Sequence, residues 1–271
     1  MWAALMWGGI SASAVMLGAL AALFLHIKKR VIGWIMAFGV GTLIGAAAFE
    51  LLGDALESGG LKATAIGFTA GAIVYTAFDL LISSRGGSNR KRSGGGDSSG
   101  DTLNGDPGGP SGSGSPGRAG DSKTDGSNQS GLGIFAGTVL DAIPESIMLG
   151  ASLLAGSGVS VVLVVSIFVS NIPEGLSSTA GLQQNNFSRG KIIGMWIAVL
   201  IVSALAAMGG YLFLEQLSAE MKAAIGAFAG GGIIAMLCST MMPEAFEEGG
   251  PIVGFIASMG LLVSILLDTF S

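Results

Sequence analysis

Apolar residues run along this chain in long blocks. A helix needs roughly 20 of them to cross a bilayer core of about 30 Å. Eight blocks meet that length, at about 2–25, 31–52, 63–82, 132–154, 159–182, 192–214, 223–242 and 252–269. Between the third and fourth the pattern stops. Residues 84–130 hold 14 glycines and 11 serines among 47, a composition that cannot bury a core and predicts a flexible linker. The expected fold is therefore an all-α polytopic membrane protein of eight transmembrane helices. Spans 1–3 fall in residues 1–83, the linker in 84–130, and spans 4–8 in 131–271.

Composition sharpens this picture. Of 271 residues, half are apolar, and only 13 are Lys or Arg and 18 Asp or Glu. Soluble proteins carry about 25% charged residues. The linker alone holds 11 of the charges, leaving 20 for the other 224 residues. No soluble domain covers its surface so sparsely, so the bilayer is the first partner. The single cysteine, Cys238, excludes an intrachain disulfide framework and a thiolate zinc cluster. A net charge of −5 with no basic stripe gives no reason to expect nucleic acid. The N-terminus lacks the basic region and cleavage site of a secretory signal and is expected to be a retained first span. The single histidine, His26, falls beside Lys28–Arg30, where interfacial residues gather. No nucleotide loop, nucleophile elbow or zinc-protease motif is present, so no enzyme is expected.

Basic residues set the orientation. Lys28, Lys29 and Arg30 follow span one, Arg85, Arg90, Lys91 and Arg92 follow span three, and Arg189 and Lys191 follow span five. The positive-inside rule puts these loops in the cytoplasm and both termini outside. An integral protein of the plasma (inner) membrane is expected. Phe38–Gly60 also aligns without gaps on Phe228–Gly250, with seven identities in 23 positions and Asp54 opposite Glu244. The two segments run in opposite directions, which predicts an inverted repeat relating spans 1–3 to spans 6–8, with spans 4 and 5 central.

Chemistry concentrates in the fourth and fifth spans. Leu140-Asp141-Ala142-Ile143-Pro144-Glu145-Ser146 and Val169-Ser170-Asn171-Ile172-Pro173-Glu174-Gly175 share an Ile-Pro-Glu core. The helical repeat stacks Asp141 over Glu145 and Ser170 over Glu174. Each proline frees the carbonyl four residues back, a feature tolerated in a membrane only when buried or lining a cavity. Counting from the short loop Ala155–Gly158 places both motifs roughly 17–20 Å below it, near the bilayer middle. A carboxylate there costs about 2.5–3.5 kcal/mol even on the lenient insertion scale. No Lys or Arg lies within any span to neutralise Asp141, Glu145 and Glu174. Bound cations or protons must do so; protonated packing residues are the plain alternative.

These motifs resemble those of the Zrt/Irt-like (ZIP) metal transporters. Their fourth span carries His-Asn-x-Pro-Glu and their fifth a His- or Gln-led x-x-x-Pro-Glu-Gly. Asn171-Ile172-Pro173-Glu174-Gly175 matches well, and Asp141–Glu145 matches in its proline and glutamate. Pro243-Glu244-Ala245 at the end of span seven also agrees. The resemblance implies inward transport of a divalent cation between rocking helix bundles. It makes Glu145 and Glu174 bridging carboxylates, Asp141 a direct ligand, and Ser170 and Asn171 weaker or water-mediated partners. The chain departs from the family at Asp141 and Ala142, at Ser170, at Ser203 in place of a sixth-span glutamate, and in its histidine-free linker. These losses put a second metal in doubt.

The donors Asp141, Glu145, Ser170, Asn171 and Glu174 are all oxygens. Such sites suit Mn, Mg and Ca, with Fe(II) plausible, better than they suit zinc. The expected substrate is a divalent ion of the Zn, Fe, Mn, Co or Cd class, with no organic cofactor and with a homodimer left open. Glu50, Asp54 and Glu57 toward the outer side, and Glu244, Glu247 and Glu248 toward the inner, are candidate vestibules; ordinary solvated helix ends explain them equally well. A proton- or sodium-coupled carrier and a non-transporting metal-binding homologue remain open.

Overall fold

The computed structural model describes residues 1–25, 27–84, 135, 137–139, 142–150, 152–153 and 160–270. The linker beyond Ser84, His26, Asp141 and the loop 155–158 lie outside the described residues. Among the described residues the architecture is all-α. In chain order the helices are α1 (Trp2–Phe24), α2 (Lys29–Ala46), α3 (Asp54–Ser84), α4 (142–150) and α5 (Val161–Gln184). They continue as α6 (Arg189–Glu215), α7 (Ala219–Met236), α8 (Met242–Gly249) and α9 (Val253–Phe270).

Among the described residues, five helical stretches are long and apolar enough to cross a membrane: Trp2–Phe24, Lys29–Leu81, Val161–Gln184, Arg189–Glu215 and Ala219–Gly249. A shorter apolar helix, Val253–Thr269, follows them. The second and third expected blocks thus run together as one stretch of 53 residues. That stretch would be about 80 Å long if straight, far more than a bilayer core requires. It is not straight. Gly60 (φ 71, ψ 172) breaks α3 into two arms.

Outward-facing positions are apolar as well. Ile197, Ile201 and Leu205 on α6, and Phe255, Leu262 and Leu266 on α9, are exposed. In water such surfaces would drive aggregation, whereas in lipid they are the natural boundary. Inside, Met36, Val40 and Leu43 of α2 pack with Met148 and Leu149 of α4 and Leu163 and Ile167 of α5. A second cluster joins Val15 and Ala19 of α1 to Leu182 of α5 and Trp196 and Val199 of α6.

The aligned segments share more than sequence. Shifting Lys29–Ala46 onto Ala219–Met236 superposes α2 on α7 end for end. Both helices pass directly into π-helical turns, at Ala47–Gly53 and Leu237–Met241. Both then regain α geometry and stop at an aligned glycine of positive φ, Gly60 at 71° and Gly250 at 76°. The helices that follow pack in matching fashion. Gly260 on α9 sits against the carbonyl of Phe38 on α2, and Gly71 on α3 against the carbonyl of the aligned Phe228 on α7. In a membrane, where apolar burial drives no association, such backbone contact is the main source of packing energy.

Two kinds of glycine follow from this, with different consequences. A Cβ at Gly60 would meet nothing within 4 Å, so the position needs glycine for its φ alone. Gly60→Ala is expected to cost about 1–3 kcal/mol, the strain of forcing a side-chain-bearing residue into a backbone region essentially reserved for glycine. Thermal denaturation in detergent reads this directly, with Gly9→Ala, also in open space but inside an ordinary helix, as the comparison expected to gain rather than lose stability.

Candidate cation site

The fifth-span motif lies in the middle of α5. Ser160 caps that helix, its side chain accepting from the Leu163 amide at 3.0 Å. Pro173 removes one amide donor and so leaves the Val169 carbonyl without its usual intrahelical partner. Two neighbours approach the motif at backbone range. Gly18 of α1 lies against the Ile172 carbonyl, and Gly175 lies against the Val15 carbonyl of α1. From the other side, Gly39 of α2 touches the Cα and Cβ of Ser170.

This close packing buries every polar residue of the motif. Ser170, Asn171 and Glu174 are 1%, 3% and 4% exposed. Asn171 donates from Nδ2 to the backbone carbonyl of Ser11 on α1, at 3.4 Å. With Nδ2 turned toward that carbonyl, its Oδ1 has no hydrogen-bond partner among the described residues. A buried amide oxygen without a donor is rare, because desolvation costs about 1–3 kcal/mol when nothing replaces water. Ser170 gives its hydroxyl proton to the Ile167 carbonyl at 3.0 Å, so toward any ligand it is an acceptor only.

The fourth-span motif contributes Glu145, which is 2% exposed, and Ser146, which is also buried. Their helix, α4, rests on α6, with Gly150 against the Ala207 carbonyl and Gly210 against the Ile147 carbonyl. Ser203, on the same helix α6, is buried with its hydroxyl lacking a partner among the described residues. Thr138 and Ser178 share a hydrogen bond of 3.1 Å, and Trp196 donates from Nε1 to Thr179 at 2.8 Å. These two bonds fix the second half of α5 to its neighbours. Asp141 lies outside the described residues. Among those described, no three His, Cys, Asp or Glu side chains gather as a metal cluster.

The outlying acids separate into two groups. Glu50, Asp54 and Glu57 line a cavity of about 560 Å³, together with Ser58, Ser152 and Lys222. Asp268 of α9 is near enough to Glu50 and Asp54 to interact with both carboxylates. Glu244 lies elsewhere. It is buried, and its carboxylate accepts a hydrogen bond from the Ser177 hydroxyl on α5. Sequence reasoning placed Glu244 at a helix end and did not single out Ser177. The signal was present: Ser166, Ser170, Glu174 and Ser177 repeat at intervals of four, four and three, which draws one polar stripe along α5.

No model of a known protein family matches the chain. No curated protein sequence matches it either.

Proposed function

We propose that this chain carries divalent cations across a membrane into the cytoplasm, in the manner of the Zrt/Irt-like transporters that its motifs resemble. On this reading the chain crosses the bilayer eight times, with both termini outside and the segments Phe38–Gly60 and Phe228–Gly250 as halves of an inverted repeat. Two crossings lie in the stretch Lys29–Leu81, divided at Gly60, and the last two follow Ala219, divided at Gly250. The matching π turns and glycine breaks support that division.

The observation that carries the reading is Asn171. Its Oδ1 is buried and without a hydrogen-bond donor among the described residues, three positions from the buried carboxylate Glu174. On a helix that spacing puts both on one face. An amide oxygen takes up no proton itself in this pH range, so its partner is either a cation or the hydroxyl of a protonated acid. A cation relieves the amide oxygen and neutralises the carboxylates together, with oxygens of Asp141, Glu145, Ser170, Asn171 and Glu174 as its ligands. A protonated acid donating to Oδ1 is the competing account, and the uptake measurement separates the two. The cation here is the cargo. With oxygen donors alone, hard ions such as Mn(II), and Fe(II) beside them, gain on zinc.

The decisive measurement is uptake of Mn, Fe, Co, Zn and Cd ions by proteoliposomes. Flux of at least one ion is expected, with Mn and Fe ahead of Zn, and Glu145→Ala is expected to reduce it to the level of empty vesicles. Exclusive zinc transport would refute the oxygen-site argument, and no flux of any ion would refute the carrier.

A further inference from the structure

The two related segments are not in the same state. Asp54 and Glu244 are aligned positions. Asp54 is exposed and lines the cavity with Glu50 and Ser58. Glu244 is buried and bonded to Ser177. The glycines that end the segments differ in the same sense. Gly249 packs on the backbone of Gly33, and its carbonyl accepts a hydrogen bond from Trp34 Nε1 at 3.0 Å. Gly59, its counterpart, packs on the Cβ of Ala223, and Ala224 stands where Trp34 stands in the other half. An alanine has no such donor. Both segments reach α5, one through Glu50 and Ser160 and the other through Glu244 and Ser177, but only the first opens on a cavity.

We propose that the Ser177–Glu244 hydrogen bond is a latch that keeps the inner side closed while the Asp54 side is open. The proposal rests on the carrier reading for its purpose, though not for its test. Ser177 follows Glu174 by three residues, under one helical turn. A carboxylate of α8 bonded there holds α8 against the helix that bears the site. Two segments of one build have two related arrangements, and the contacts that differ between them decide which is populated. Hydrogen bonds to carboxylates are stronger than neutral ones, and Asp54 has no serine counterpart: the residue of α4 aligned with Ser177 through the Ile-Pro-Glu motifs is Met148. The latch therefore biases the molecule toward one arrangement. Its release exchanges the exposure of Asp54 and Glu244.

The test is thiol labelling of the full chain in nanodiscs, without metal. Cys238 is exposed and is first replaced by serine. Reporter cysteines are placed singly at Ser58, exposed in the cavity, and at its aligned partner Glu248, which is only half-buried in the other segment. Ser177→Ala is expected to raise the maleimide rate at position 248 by about tenfold, the loss of one charge-assisted bond. The same variant is expected to lower the rate at position 58. Ser177→Thr, which keeps the hydroxyl, is expected to label like the parent. Glu244→Ala is expected to repeat the effect of Ser177→Ala and serves as the second, independent variant. Unchanged rates overturn the latch, and so does a rise at both positions, which means loosening rather than exchange. Because labelling needs no transport, exchange without flux would refute the carrier and leave the latch standing.

Discussion

Glu174→Ala is expected to abolish cation uptake while the protein still inserts into the membrane. Glu174 is buried on α5, and on the proposed reading a cation and its carboxylates neutralise one another there. Removing one partner from a buried charge pair costs about 3–5 kcal/mol, because the remaining charge is left without compensation. For a cation held by few oxygens this corresponds to a loss of affinity of more than about 100-fold. The helix itself has less at stake. Ser160 caps it, α1 and α2 pack on it through glycines, and alanine is the best helix former. Uptake should therefore vanish at an unchanged expression level and unchanged helical content. Glu174→Gln keeps the shape and one oxygen, and it separates the need for charge from the need for a ligand. Normal uptake by Glu174→Ala would refute the site.

Gly175→Val is expected to cause the second large loss, by a different route. At Gly175 a Cβ would fall on the carbonyl carbon, oxygen and Cα of Val15, all backbone atoms of α1. Backbone cannot rotate away as a side chain does, so α1 and α5 must separate. Overpacking of this kind costs about 1–3 kcal/mol. That corresponds to a fall of several degrees in the midpoint of thermal denaturation. Separation also stretches the bond from Asn171 to the Ser11 carbonyl, already 3.4 Å, and frees the amide to turn. Uptake should drop together with stability. Gly9→Ala, in open space inside α1, should leave uptake unchanged and raise the melting midpoint slightly if it moves it at all, since alanine favours the helix. An unchanged melting curve for Gly175→Val would mean that α1 does not press on the motif.

Much of the frame was legible in the sequence. Block lengths gave the helices Trp2–Phe24, Val161–Gln184 and Arg189–Glu215 nearly to the residue, because helix length in a bilayer is set by its thickness. The alignment of Phe38–Gly60 on Phe228–Gly250 anticipated a common build that extends to paired π turns. The blocks failed at 53–62 and 243–251, which hydropathy scored as loops. Asp54–Gly59 and Met242–Gly249 are helical there, since hydropathy measures apolarity and these polar stretches contain good helix formers. At the candidate site, the Ile-Pro-Glu spacing singled out Glu145, Asn171 and Glu174, and the structure buries all three.

What the sequence determined by itself is the set of apolar blocks long enough to cross a membrane and the oxygen-bearing residues that fall within them. Both depend on counts and local spacing: too few charges for a soluble surface, and acids without basic partners in their own spans. Tertiary structure alone decided which way Asn171 turns, because the Ser11 carbonyl that holds it is 160 residues away in the chain. It alone separated Asp54 from Glu244, two aligned acids of which one lines a cavity and the other bonds Ser177. Periodicity assigns a residue to a face of its helix. Only packing decides whether that face meets water, lipid or another helix.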